Sequence, residues 1–149
     1  HSCGVARLPT LSRSALLPYA PEAVYQVVCD IARYAEFLPW CCSSVVVEEH
    51  EQDVTASLEF GAGGLRERVT TRNTLTPGER IELSLVSGPF SHFAGVWRFA
   101  ALGDAGCKVS FDLDYRLSGP QAILRRAFVG QAADKLVDAF AQRCADLLD

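Results

Sequence analysis

The pattern of apolar and polar residues near the start of the chain predicts one strand and then two helical segments. Residues 11–17 are predicted to form the first strand, which ends at Pro18. A helix is predicted from Ala20-Pro21-Glu22 to Ile31, because proline suits the first helical turn and apolar residues then recur at i, i+3, i+4 and i+7. A second helical turn over residues 31–38 has to end before Pro39, since the residue preceding a proline avoids helical dihedrals.

Between residues 45 and 117 the chain alternates again, and this alternation predicts six further strands, each with one apolar face. Glycine or proline lies in most of the connections, which are short enough to join antiparallel neighbours in a curved meander. The six predicted strands are centred on residues 45–47, 54–60, 65–75, 81–85, 93–99 and 109–117.

After Ser118-Gly119-Pro120 the helical spacing returns and continues to the end of the chain. Its apolar stripe is wide, as expected of a helix that lies across a sheet. Arg125 and Arg126 occupy the first turn of this helix, where the helix dipole disfavours cations, and so indicate an external anion. The pattern predicts one α+β domain over residues 8–149, with residues 1–7 as an appended or processed start outside the fold.

The connection between the helical pattern and the second strand is unusually apolar for a loop. It reads FLPWCC over residues 37–42, whereas polar turn residues are the usual choice. Either Phe37, Leu38 and Trp40 form the lip of a cavity open to a lipid, or they plug the end of an ordinary core in which Pro39 sets the corner. The pattern alone is compatible with both.

The composition suits a single compact domain and changes this picture only locally. The chain has 149 residues, of which 49% are hydrophobic, and a net charge of −4, so neither global disorder nor a generic nucleic-acid binder is indicated. Arg66, Arg68 and Arg72 nevertheless share one face of a predicted strand. They form either a positive stripe for phosphate, in ribosomal RNA or lipid headgroups, or a solvated face paired with acids such as Glu59, Glu82 or Asp112.

The chemistry-bearing residues give little support to catalysis. The six cysteines contain no C-x-x-C pair and are interpreted as reduced thiols of a cytosolic protein. No serine–histidine–aspartate order, metal-ligand cluster or phosphate loop occurs, and the inward face is predicted to be almost wholly apolar, with Tyr115 as its main hydroxyl. No apolar run reaches the length of a membrane span. The sequence therefore favours a non-enzymatic protein that requires no metal or cofactor.

Several short motifs resemble one known family. They are Tyr25, Asp30-Ile31 and Tyr34, then FLPWC at 37–41, TTRN at 70–73, SGPF at 87–90 and GVWRF at 95–99. In their order and spacing these residues resemble the coenzyme Q-binding protein family. That family lies within the START-like, polyketide cyclase-like superfamily and also contains the bacterial ribosome-association toxin RatA.

The resemblance implies a helix-grip fold, in which a curved antiparallel sheet wraps a long C-terminal helix and an apolar ligand lies between them. The implied ligand is ubiquinone or a similar isoprenoid lipid, carried in support of respiratory electron transport by a cytoplasmic protein that transiently visits the inner membrane. The side chains expected to line the cavity are Phe37, Leu38, Trp40, Phe93, Trp97, Phe99, Phe111, Leu113, Tyr115, Leu124, Phe128, Leu136 and Phe140.

Delivery of such a ligand requires a gate, for which the 37–40 connection around Pro39 and the turn of Gly88, Pro89 and Phe90 are the candidates. Phe90 is expected to be exposed on this turn and to enter the membrane interface. The resemblance also implies an alternative function, binding to the large ribosomal subunit through the Arg66, Arg68 and Arg72 face so that subunit association is blocked. A cyclase-like enzyme is a weaker alternative, because it requires polar groups inside the cavity.

Overall fold

The computed structural model describes residues 11–62, 64–104, 106–120 and 122–149, and the side chains of all of these except residues 62, 65, 123 and 124. The prediction for residues 1–7 lies outside the described residues. The strands are β1 (Leu11–Leu17), β2 (Cys41–Glu49), β3 (Asp53–Ala62), β4 (Leu65–Thr76), β5 (Arg80–Ser87), β6 (Phe90–Leu102) and β7 (Gly106–Leu117). The helices are α1 (Pro21–Cys29), a 3₁₀ helix (Ile31–Glu36) and α2 (Ala122–Leu148).

The seven strands form one curved antiparallel sheet in the order β1-β7-β6-β5-β4-β3-β2. The six strands after the helices follow one another as the predicted meander, because each short turn returns the chain beside the strand it has just left. The first strand joins the last, with register from Leu11 opposite Leu113 to Leu17 opposite Cys107. The sheet therefore has β1 at one edge and β2 at the other.

The helices cover the inner face of the sheet. Helix α1 begins at Pro21 and buries its stripe of Val24, Tyr25 and Val28 against β6, β7 and α2. Helix α2 lies across the sheet and contributes Val137, Phe140 and Cys144 to the core. This arrangement is the helix-grip fold, so the predicted fold class is confirmed.

The boundaries differ from the prediction mainly at the starts of two strands: β2 begins at Cys41 rather than Val45, and β6 begins at Phe90 rather than Phe93. Gly88 adopts a φ of +155° in the preceding turn, a conformation that residues with a side chain rarely adopt. Phe90 already pairs with Leu117 of β7 and is half-buried. The expectation that Phe90 is exposed on a turn is therefore wrong, because the strand starts earlier and its first side chain packs inward.

Candidate ligand cavity

An apolar cavity of about 210 Å³ lies between the inner face of the sheet and α2. An engineered apolar cavity of about 150 Å³ is already large enough to bind benzene, so an aromatic ring fits this space. Protein interiors are otherwise packed as densely as organic crystals, and unfilled volume is destabilising. A ligand that filled this void would therefore restore packing contacts and stabilise the protein.

Nine of the thirteen side chains predicted for the cavity form part of its wall. They are Leu38, Trp40, Phe93, Trp97, Phe111, Leu113, Phe128, Leu136 and Phe140. The side chain of Leu124 lies outside the described residues. That the nine contact a ligand stays a prediction, but the alternation on β6 and β7 correctly indicated which of their side chains face inward.

Phe37, Phe99 and Tyr115 do not line the cavity. The Phe99 ring packs edge-on against Tyr25 of α1 with centroids 5.5 Å apart, because α1 fills the space above this end of β6. The Tyr115 ring packs edge-on against Phe90 with centroids 6.2 Å apart and takes no part in the cavity wall. Predicting inward direction was thus insufficient to separate cavity from filled core.

The apolar segment 37–42 contributes both to the lip of the cavity and to the plug of the core, the two roles that the sequence left open. Leu38 is almost fully buried and lines the cavity together with Trp40. Phe37 instead belongs to an aromatic cluster with Tyr34 and Phe140, at centroid distances of 6.0 and 5.1 Å. Pro39 is exposed at the corner between them. The connection is therefore a cavity lip on one side and a core plug on the other.

One end of the cavity is closed by aromatic rings. Trp40 contacts Phe60 with centroids 5.1 Å apart, and Phe60 lies 6.2 Å from Phe128 of α2. Phe90 completes this end and packs against Phe93 at 5.1 Å. We refer to Trp40, Phe60, Phe90 and Phe128 as the aromatic end.

The wall also contains positions that the prediction did not single out as cavity residues. Most continue the inward alternation of β3 and β5 or the apolar face of α2, so their signal was present in the sequence. They are Val28, Ile31, Val54, Ala56, Leu58, Phe60, Leu75, Ile81, Leu83, Phe90, Val129, Ala132 and Ala133.

Polar groups enter the cavity from β4 and the 3₁₀ helix rather than from Tyr115. Thr71 and Asn73 lie on the inner face of β4, and the Thr71 hydroxyl donates to Asn73 Oδ1 at 2.8 Å. The Tyr34 hydroxyl donates to the backbone carbonyl of Val28, and burial raises the pKa of this tyrosine. The expectation of Tyr115 as the main inward hydroxyl is wrong, because β4 places Thr71 and Asn73 of the TTRN motif in the cavity wall and Tyr115 lies outside it.

Burial disfavours the thiolate form of several of the described cysteines. The described cysteines are all free, and burial raises the pKa of Cys41 and Cys144 to about 11. Cys29 borders the cavity, and burial raises its pKa as well. Since the thiolate is the nucleophile, these groups are held in their unreactive form.

The outer face of β4 carries the arginine stripe. Arg66 and Arg68 are mostly exposed, and both approach the carboxylate of Glu59, at 3.1 and 3.9 Å. The predicted cross-strand pairing with Glu59 is confirmed. Glu82 instead pairs with Arg80 at 2.7 Å and Asp112 with Arg98 at 2.9 Å, so the expected pairing of these two acids with the stripe is wrong.

Arg125 is not free to bind an external anion. Its guanidinium contacts Glu67 Oε1 at 2.5 and 2.8 Å and donates to the Ser118 carbonyl at 3.3 Å. The interpretation of Arg125 as an anion site is therefore wrong. The Glu67 carboxylate on β4 offsets the positive charge of Arg125, which the helix dipole disfavours at this end of α2.

Residues 17–141 match the family described as polyketide cyclase / dehydrase and lipid transport. The chain is 48% identical over 139 residues to the ribosome association toxin RatA of Pseudomonas aeruginosa, covering 92% of this chain and 96% of that protein. The RatA protein of Vibrio cholerae is 39% identical over 134 residues, with 89% and 93% covered. The mitochondrial coenzyme Q-binding protein COQ10 of Dictyostelium discoideum is 25% identical over 152 residues, with 99% and 74% covered.

Solved structures share the architecture at lower identity. A protein of Thermus thermophilus superposes with a TM-score of 0.81 at 21% identity, covering 93% of this chain and 99% of that one. The Zhui aromatase/cyclase of Streptomyces sp. R1128 superposes with a TM-score of 0.76 at 19% identity, covering 91% and 94%. At such identities the likeness establishes the fold alone.

Proposed function

The chain belongs to the polyketide cyclase / dehydrase and lipid transport family and groups there with proteins named ribosome association toxin RatA, and from this premise we propose that it associates with the ribosome. The observation that carries the proposal is the 48% identity that extends over 92% of the chain. The family resemblance of the sequence implied quinone carriage as the main function and ribosome binding as the alternative. The relatives reverse that order, because the COQ10 protein is similar at only 25% identity.

We take the outer face of β4 as the contact surface, because its charge suits RNA phosphate. Arg66, Arg68 and Arg72 all point outward from one strand and are exposed. Two of the three share the single carboxylate of Glu59, so one negative charge faces three guanidinium groups. A local excess of this kind attracts phosphate even on a protein with a net charge of −4.

Sedimentation of the protein with purified ribosomal subunits tests this proposal. The wild-type protein is expected to pellet with the large subunit. The triple variant Arg66→Gln/Arg68→Gln/Arg72→Gln is expected to lose this binding at physiological salt and to flatten the log–log salt dependence by roughly two to three units.

A matched control removes three cations from the other strands of the same sheet. Arg98→Gln/Lys108→Gln/Arg116→Gln lowers the net charge equally but leaves the β4 face intact, so binding should persist. Equal binding by both triple variants would reject the β4 face as the contact. Failure of the wild-type protein to pellet with either subunit would reject ribosome association itself.

A second candidate function, binding of an apolar ligand, rests on the cavity of about 210 Å³. Burial of apolar ligand surface contributes about 25 cal/mol per Å², so a quinone ring or isoprenoid segment would be held mainly by exclusion of water. None of the described helices is long and apolar enough to cross a membrane. We propose that a quinone is exchanged at a membrane surface, because an isoprenoid quinone otherwise stays in the bilayer, and that the 37–40 connection and the 88–90 turn open the cavity.

Native mass spectrometry of protein purified from its own host, followed by solvent extraction, tests this second function. A co-purifying isoprenoid quinone near one equivalent is the expected result. The gate is tested by vesicle-to-vesicle transfer of quinone, which Trp40→Ala and Phe90→Ala should slow because both rings belong to the proposed gate. Unchanged transfer by both variants would reject the gate but not the cavity.

A cyclase-like activity has less support. Its basis is the fold shared with the Zhui aromatase/cyclase at 19% identity.

A further inference from the structure

The cavity wall contains the side-chain amide of Asn73, which is hydrogen-bonded to Thr71. Asn73 is only 7% exposed, and it borders the cavity from the inner face of β4. Its Oδ1 accepts a hydrogen bond from the Thr71 hydroxyl, which orients the amide. Asn73 Nδ2 donates no hydrogen bond to any of the described residues. The cavity wall therefore contains an amide donor that these residues leave unpaired.

This donor selects the chemistry of a ligand. A buried polar group without a partner is destabilising, so a molecule that offers an acceptor to Asn73 Nδ2 is favoured over a pure hydrocarbon. The described side chains of the wall include no lysine, arginine or histidine, and the Glu49 carboxylate borders the cavity. A carboxylate or phosphate would be buried without a counter-charge, which is strongly unfavourable. The acceptor is therefore an uncharged oxygen.

The position of Asn73 also orients the ligand. Asn73 lies opposite Val54 of β3, whereas Phe60 of the aromatic end lies opposite Glu67. Phe60 lies six positions after Val54 on the same strand, which corresponds to about 20 Å. The polar group and the aromatic end are thus at opposite ends of an elongated space, and the side chains between them are apolar.

We propose that the Thr71–Asn73 pair anchors the carbonyl oxygen of an uncharged amphipathic ligand, such as a quinone, whose apolar tail extends toward the aromatic end. The inference rests on the second candidate function, apolar ligand binding, and is independent of ribosome association. Thr71 acts as a positioning residue, since its hydroxyl holds the amide with the donor directed into the cavity.

Tryptophan fluorescence provides a direct assay, because Trp40 and Trp97 are the two tryptophans of the chain and both line the cavity. A decyl-substituted benzoquinone quenches tryptophan emission and serves as the probe. Decylbenzene, which has the tail and ring but no carbonyl, is measured by its competition with the quinone. The variant Asn73→Leu keeps the size of the side chain and removes the donor.

Asn73→Leu is expected to weaken binding of the benzoquinone about tenfold while the affinity for decylbenzene stays the same. Thr71→Val should weaken quinone binding severalfold, because the amide loses its orienting partner. Thr74→Val, on the outer face of the same strand, is the matched control and should bind as the wild type does. Far-ultraviolet circular dichroism and a thermal melt establish that each variant is folded.

The outcomes separate the anchor from the cavity function. If the wild type binds both probes and Asn73→Leu weakens both equally, or neither, the anchor is overturned and the apolar cavity function stands. If the wild type binds neither probe, the cavity function and the anchor are overturned together. Loss confined to the benzoquinone, in both Asn73→Leu and Thr71→Val, supports the anchor.

Discussion

The space between the sheet and α2 is filled in one half and hollow in the other. In the filled half, Tyr25, Phe99, Val109, Val137 and Cys144 are all almost completely buried. Helix α1 lies directly over β6 and β7 there and inserts its side chains between them and α2. Each inward side chain therefore has a partner, and the region is ordinary close-packed core.

In the hollow half, the sheet lacks the cover that α1 gives to β6 and β7. The 3₁₀ helix and the 37–42 connection cover this side, and Leu58, Leu83 and Phe93 remain only half-buried. Several wall positions carry alanine, including Ala56 on β3 and Ala133 on α2. The same alternation of apolar residues thus produces a core or a cavity according to what lies opposite.

The largest expected effect comes from truncating the same residue type in the two halves. Phe99→Ala should lower the free energy of unfolding by about 3–5 kcal/mol, because its contacts are complete. Phe93→Ala, on the same strand, should lower it by about half as much, because a ring beside a void loses fewer contacts. Urea unfolding measures both values. Equal losses would mean that the two halves are packed alike.

Enlarging a side chain of α2 should also destabilise the filled half more than the hollow half. Cys144→Leu should destabilise the protein by about 1–3 kcal/mol, because Cys144 is fully buried in the filled half. Ala133→Leu should change stability by less than about 1 kcal/mol, because the added carbons enter the cavity, and it should also abolish benzoquinone binding. If Ala133→Leu proves as costly as Cys144→Leu, the cavity does not exist in solution.

A smaller effect is expected in the dependence of stability on pH. Burial raises the pKa of Cys144 from 9.0 to about 11, with Cys107 nearby as a further cause. The unfolded chain therefore loses this proton first, and stability falls as pH rises from 9 to 11. The loss attributable to this thiol should be about 1–2 kcal/mol.

Urea unfolding at several alkaline pH values measures this slope. Cys144→Ala should flatten it, and Cys29→Ala at the cavity wall should flatten it less. The slope, rather than the absolute stability, is the relevant quantity, because both substitutions also remove packing. An unchanged slope in Cys144→Ala would show that this thiol is not sequestered as the filled half requires.

The elements were predictable because their signals are local. Period-two alternation from Val109 to Leu117 and helical spacing after Pro120 follow from backbone geometry, which every residue of a strand or helix obeys. The inward direction of Trp97 and Phe111 was predicted for the same reason and confirmed. Phe90 was misplaced because strand boundaries depend on pairing across the sheet, which the local pattern does not contain.

The candidate site was predictable only in part. The alternation along β4 indicated that its arginines share one face. It did not indicate that Thr71 and Asn73, on the opposite face, border a cavity. Arg125 was interpreted as an anion site because its partner, Glu67, is 58 residues away in the sequence. Such pairings depend on the register between distant elements.

The number, kind and order of the elements follow from the sequence without knowledge of the fold, and so does the inward direction of many apolar side chains of the strands. The folded arrangement was needed to show that α1 fills one half of that interior, that the other half stays hollow, and that an amide donor lies in its wall. Periodicity specifies the direction of a side chain, since it arises from bonds between neighbours. Occupancy of the space depends on residues that are remote in the chain and meet only when it folds.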